Sequence, residues 1–126
     1  MKELFNSFTN SLKRFEEILK KEKTIEYRDA AIQRFEFTIE LAWKTVQKFL
    51  REEEIICNSP KQCLREAFKF GLVDDDPRWL NAFEDRNLTA HTYSEASADK
   101  IYDHFPQYLE IFQKLQENLK NKITLE

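Results

Sequence analysis

The run Arg86-Asn87-Leu88-Thr89-Ala90-His91-Thr92-Tyr93 gathers an always-charged cation, a carboxamide, an imidazole and a phenol within eight residues. His91 is one of only two histidines in the chain. Imidazole titrates nearest neutrality, which makes it the usual proton carrier. Arg86 offers a rigid fork of donors matched to phosphate oxygens. Together they suit proton transfer at a phosphate-bearing substrate. On a helix, Arg86 and Tyr93, seven apart, share a face, and Asn87 and His91, four apart, share a neighbouring one. Arg86 and His91 are five apart, ~140° around the axis. One helix converges them poorly; two copies facing each other across an interface do it well. Caps and surface charge at a helix end are the alternative reading of the same residues.

Other chemistries lack their residues. A single glycine cannot build a phosphate-cradling loop, and neither His-Glu-x-x-His nor Glu-x-x-His occurs. Nothing resembles a nucleophile elbow. Cys57 and Cys63 fit no common metal motif and are not spaced with His91 and His104 as ligands, so no metal or cofactor is expected. The two cysteines read as free cytosolic thiols, with a disulfide as the alternative. His104 reads as a partly exposed bundle histidine. The net charge of −3 argues against a generic nucleic-acid coat, which rests on phosphate neutralisation, but leaves room for a local basic pocket.

The elements that must carry this run are helices. One glycine and three prolines in 126 residues leave little turn chemistry for strands, and 34% charged with 41% hydrophobic residues suits amphipathic helices. A first helix is expected over Lys2 to Lys21, with Leu4, Phe5, Phe8, Leu12, Phe15, Ile18 and Leu19 at steps of three and four. A second runs from Ile25 to Glu54 behind a Thr24 cap, with a seam of Ile32, Phe35, Ile39, Ala42, Val46 and Phe49. Phe37, Leu41 and Trp43 widen its apolar arc, which calls for more than one partner helix or a partner chain. Glu36, Glu40, Lys44 and Lys48 read as a solvated charged face. Ser59-Pro60-Lys61-Gln62 predicts a capping box opening a short helix that buries Leu64, Ala67 and Phe68 and ends at Gly71. Asp76-Pro77 opens a fourth helix that buries Trp79, Leu80 and Phe83 and ends in the Arg86–Tyr93 run. Ser94 caps a last segment, kinked or divided at Pro106. The expectation is an all-α, antiparallel four-helix bundle with an additional short helix, forming one domain over residues 1–126. No apolar run approaches the ~20 residues of a membrane span, and the charged N-terminus is unlike a secretory signal. A cytoplasmic protein with no membrane partner is expected.

Longer stretches carry a resemblance. Asp29-Ala-Ala-Ile-Gln-Arg-Phe-Glu-Phe-Thr-Ile-Glu-Leu-Ala-Trp43-Lys44 resembles the signature helix of the small HEPN-superfamily proteins encoded beside minimal nucleotidyltransferases. These are also called nucleotidyltransferase substrate-binding proteins. Arg65-Glu-Ala-Phe-Lys-Phe-Gly-Leu-Val-Asp74, then Trp79, Arg86-Asn87 and His91-Thr-Tyr93, look like the rest of that pattern in the same order. The resemblance runs from about Leu4 to Leu119.

It implies a helical bundle that forms a homodimer within a hetero-oligomer, bringing the Arg–His motifs of two chains into one cleft. Many such proteins are metal-independent ribonucleases and toxins of toxin–antitoxin pairs. In the branch with the R-x4-H-x-Y form, the partner minimal nucleotidyltransferase neutralises the toxin by transferring AMP to the motif tyrosine. Arg86 and His91 would then be catalytic, Asn87 and Tyr93 substrate-binding, and Tyr93 the AMP acceptor. Trp43 and Lys44 belong to the signature, but a core tryptophan and a salt-bridging lysine explain them. The alternative is a non-catalytic subunit that binds a nucleotide or other substrate for a two-component nucleotidyltransferase.

Overall fold

Phe8, Leu12 and Phe15 recur at steps of four and three and are the buried face of α1 (Lys2–Leu19). The structure, a computed structural model, describes residues 1–91 and 94–124, the side chains of His91 and Thr124 excepted. Helix α2 (Ile25–Glu52) starts where the Thr24 hydroxyl accepts the Tyr27 N–H at 3.0 Å. All six seam residues of α2 are buried. It ends two residues earlier than expected, because Glu54 turns left-handed (φ 64°) and the Ile55 N–H closes back on the Leu50 carbonyl at 2.8 Å. A glutamate rather than a glycine makes this stop, so composition did not announce it.

Helix α3 (Pro60–Phe70) carries the expected cap: Ser59 Oγ accepts the Gln62 N–H at 3.2 Å. The reciprocal bond differs, since Gln62 Oε1 accepts from the N–H of Asn58, not of Ser59, at 2.8 Å. Gly71 (φ 93°) ends the helix in the left-handed conformation that glycine adopts without penalty. Asp76 Oδ1 accepts the Arg78 N–H at 2.9 Å and opens α4 (Arg78–His91). Ser94 Oγ accepts the Ser97 N–H at 3.1 Å and opens α5 (Glu95–Thr124). Helix α5 continues through Pro106 as one element. Pro106 is exposed, where water can serve the carbonyl that its missing N–H leaves free.

Cross-helix bonds fix the directions. Ser11 meets Thr38 and the Leu4 carbonyl meets Thr45, so α1 and α2 are antiparallel. Arg28 meets Asp99 and Phe35 meets Phe105, so α2 and α5 are parallel. Glu36 meets Thr89 and Arg78 meets Glu110, so α4 runs against both. Helices α1, α2, α4 and α5 thus form the antiparallel bundle, with α3 as the short addition and α2 touching every other helix. The core is aromatic where α1, α2 and α5 meet. The Phe105 ring lies 4.8 Å from Phe35 and 5.2 Å, edge-on, from Phe15.

Three expectations are corrected. Cys57 and Cys63 are buried and joined in a disulfide, not free thiols. The turn at Ser59-Pro60 folds the end of the α2–α3 connection onto the first turn of α3, bringing the two Cα atoms within 5.1 Å. Phe68 and Leu80 are exposed, at 48% and 45%, rather than buried. They edge an open groove between α3 and α4 whose walls carry Lys61 and Arg65 on one side and Asp74 and Asp75 on the other.

Candidate functional site

The candidate site is built on α4, and its two sides differ. Trp79, Ala82 and Phe83 bury one stripe of the helix. Asp85 and Arg86 flank that stripe, and consecutive residues on a helix are ~100° apart. Asp85 therefore turns to α5 and Arg86 to α2.

On the α2 side, Arg86 Nη1 lies 3.3 Å from Glu36 Oε2 and Nε lies 3.9 Å from Glu40 Oε1. The Thr89 hydroxyl is 3.0 Å from Glu36 Oε2 and 2.7 Å from the Arg86 carbonyl, tying the same turn of α4 to the same carboxylate. Arg86 is 28% exposed, yet its Nε is buried without a hydrogen-bond partner among the described residues. Glu40 also accepts from Trp43 Nε1 at 3.3 Å and pairs with Lys44 at 3.9 Å. Glu36 and Glu40 are therefore not simply a solvated face. They form an acidic seat for the motif arginine. Trp43 and Lys44 need no substrate role: one is half-buried and the other salt-bridged.

On the α5 side, Asp85 is 7% exposed and its Oδ2 receives two bonds. Tyr108 donates its hydroxyl at 2.5 Å, and His104 Nδ1 lies 2.7 Å away. Burial, then the Asp85 carboxylate, push the Tyr108 phenol well above its ordinary range, so the phenol remains the donor. The His104 side chain is 39% exposed, as a partly exposed bundle histidine should be, but its carboxylate partner was not anticipated.

The start of α4 is pinned by Arg78, which reaches Asp76 Oδ2 at 2.7 Å and Glu110 Oε1 at 3.2 Å. The Arg78 guanidinium holds the Asp76 carboxyl below its ordinary range. At the far end, Asn87 is exposed beside Arg86. Helix α4 ends at His91, about 7.5 Å along the axis from Arg86 at 1.5 Å per residue. The His91 side chain and the whole of Tyr93 lie outside the described residues. The structure thus brings Arg86 and Asn87 to one turn. It adds Glu36, Glu40, Thr89 and Asp85, which sequence reasoning missed. The available signal was a pair of carboxylates four apart on α2, and an acidic residue on α4 three positions after the small, buried Ala82.

Residues 3–121 match the family described as nucleotidyltransferase substrate binding protein like. The chain belongs to that family. This family member is 34% identical over 97 residues to the probable ribonuclease HepT of Haemophilus influenzae, an alignment covering 73% of this chain and 66% of that protein. It spans about two thirds of that relative's length. Among solved structures, a Thermus thermophilus protein superposes with a TM-score of 0.83 at 37% identity, covering 89% of this chain and 98% of the other. A Haemophilus influenzae structure, described as revealing the fold of a substrate binding domain of a nucleotidyltransferase, superposes with a TM-score of 0.81 at 27% identity. That match covers 92% of this chain and 98% of the other. Among the described residues, no helix is long and apolar enough to cross a membrane.

Proposed function

We propose that this chain is the toxin of a toxin–antitoxin pair, a metal-independent endoribonuclease whose cleft is shared by two copies. The observation that carries the reading is the likeness to the probable ribonuclease HepT. RNA supplies its own nucleophile. The 2′-hydroxyl attacks the adjacent phosphorus, a 2′-oxygen–phosphorus bond forms, and the bond from phosphorus to the 5′-oxygen breaks. A base must take the 2′-hydroxyl proton and an acid must return one to the 5′-oxygen. His91 performs proton transfer in this scheme, and the two copies across the cleft offer one imidazole for each half. Arg86 stabilises the charge that builds on the phosphorus-bound oxygens. Its acidic seat keeps the guanidinium on the α2 side of α4 before substrate arrives, which reduces the ordering left for the reaction to supply. Asn87 contacts a phosphate oxygen beside it.

Control falls to Tyr93. A partner minimal nucleotidyltransferase joins the Tyr93 oxygen to the α-phosphorus of ATP, and pyrophosphate leaves. The added AMP is a bulky anion that excludes RNA from the cleft by size and by like charge. The test is cleavage of RNA by the purified chain in chelator, with Arg86→Ala and His91→Ala retaining the fold and losing the activity. Full activity in both variants would remove the site. A mass spectrum after co-expression with the partner should show one AMP on Tyr93, and modification elsewhere removes the control step.

The family description and the acidic seat favour a second reading, a substrate-binding subunit that presents a nucleotide to a nucleotidyltransferase. An arginine already offset by carboxylates suits holding a ligand as well as cleaving one. Tight nucleotide binding with no cleavage of any RNA selects this reading over the first.

A further inference from the structure

Apolar contacts hold α4 in the bundle and set which face is buried, but they fix its rotation only coarsely. Trp79 lies against Phe112 at 5.5 Å, and burial of this kind is non-directional. Hydrogen bonds are directional. Besides the exposed Arg78–Glu110 pair at the start of α4, the bonds between α4 and α5 converge on one atom, Asp85 Oδ2, a buried one from Tyr108 and a part-buried one from His104, which are one turn apart on α5. An ionised carboxylate only accepts. Tyr108 donates its hydroxyl, and His104 meets the same oxygen through Nδ1, which must carry a proton to donate to it. The two donors chelate α4 in both height and rotation. One residue further along the chain stands Arg86, whose Nε is buried but unbonded among the described residues and whose carboxylate contacts are long, at 3.3 and 3.9 Å. On that side the one short bond is from the Thr89 hydroxyl to Glu36 at 3.0 Å, and it leaves the Arg86 guanidinium itself loosely held.

We propose that Asp85, chelated by His104 and Tyr108, is a positioning residue that sets the rotation of α4 and so holds Arg86 on its Glu36–Glu40 seat. A rotation of about 20° carries a group ~6 Å from the helix axis by ~2 Å, and a misplacement of about 1 Å costs a reaction on the order of 100-fold. The catalytic consequence rests on the nuclease reading; the geometric statement does not.

The test uses the full chain labelled with nitrogen-15, comparing wild type with Asp85→Asn and Tyr108→Phe. In Asp85→Asn the helical circular dichroism is retained, the ring-nitrogen signals of His104 lose the pattern of an Nδ1-protonated ring, and the Arg86 Nε–H resonance moves. RNA turnover falls tenfold or more in kcat while KM stays within about twofold. Tyr108→Phe, which removes one donor and keeps the carboxylate, moves the Arg86 resonance in the same direction by less and guards against a fold lost in Asp85→Asn. An Arg86 resonance that stays in place while the His104 signals change overturns the proposal. So does unfolding of both variants, which would make Asp85 a stability residue only. If wild type cuts no RNA, the nuclease reading falls, and the Arg86 resonance still decides whether Asp85 positions it. Unchanged kcat in a variant whose Arg86 resonance has moved overturns the catalytic consequence.

Discussion

The two sides of α4 solve the same problem, a charged residue at a helix interface, in opposite ways. Toward α5, Asp85 is buried and receives short bonds from two donors. Toward α2, Arg86 is half-buried beside two carboxylates at 3.3 and 3.9 Å, and its buried Nε has no hydrogen-bond partner among the described residues. Natural chains satisfy buried polar groups, and the exceptions concentrate where a ligand is to be received. The closed side is architecture. The open side is where chemistry is expected, and the contrast separates them without appeal to any motif.

The sharpest way to break this contrast is to remove the open side's cation and the motif imidazole. Arg86→Ala and His91→Ala should each lower RNA cleavage by ~10²–10⁴-fold, read as initial rates on a defined RNA. The Arg86 change should move stability by less than about 1 kcal/mol, because a long, part-exposed ion pair contributes little. Equal losses of fold and activity would erase the distinction between the two sides.

Next in size is the closed side. Tyr108→Phe leaves Asp85 Oδ2 with one donor, and denaturant unfolding should report a loss of about 1–3 kcal/mol. Thr89→Val, which removes the hydroxyl facing Glu36, should cost less than Tyr108→Phe in the same measurement. The reverse order would mean that the open side is the structural one.

The start of α4 offers a third comparison. Asp76→Ala removes its cap and should cost about 0.5–2 kcal/mol. Because the Arg78 guanidinium depresses the folded Asp76 carboxyl, the folded chain keeps that group ionised to a lower pH than the unfolded chain, where it titrates near 3.9. Its stabilisation is complete above about pH 5 and drains away as pH falls through the folded value. Asp76→Asn should flatten that acid limb in a series of melts between pH 6 and pH 3.

The smallest effect is expected from Glu40→Gln. It removes a carboxylate 3.9 Å from Arg86 and should tighten binding of an RNA phosphate by at most about fivefold at low salt, equivalent to about 0.2–1 kcal/mol. The gain should fade as salt screens the site. A weaker affinity would show that the seat's geometry matters more than its charge.

Much of this was legible from residue order. The seam from Ile32 to Phe49 repeats with the helix, and Ser59, Gly71, Asp76 and Ser94 announce boundaries through local hydrogen bonding or left-handed backbone that each type favours. What stayed hidden depends on partners distant in sequence. Asp85 lies 19 residues from His104 and Thr89 lies 53 from Glu36, and nothing local says that these will meet. Glu36 and Glu40 obey the spacing of a solvated stripe just as well as that of a seat for Arg86. The cysteines, six apart, needed the turn at Ser59-Pro60 to bring them together. Leu80 is apolar and one position from Trp79, yet that single step carries it round the helix to the groove.

Helix α2 touches every other helix, and its Phe35 ring meets Phe15 of α1 as well as Phe105 and Tyr108 of α5, which lies far later in the chain. The α1–α2 hairpin joins neighbours in sequence and can assemble while the rest of the chain is still being made. Helix α4 cannot be locked until the donors at 104 and 108 have been synthesised and docked. A chain interrupted before that point carries every residue of the Arg86–Tyr93 run but lacks both donors to Asp85. The order of synthesis therefore makes the hydrogen bonds between α4 and α5 late events, which wait until α5 has been made and docked.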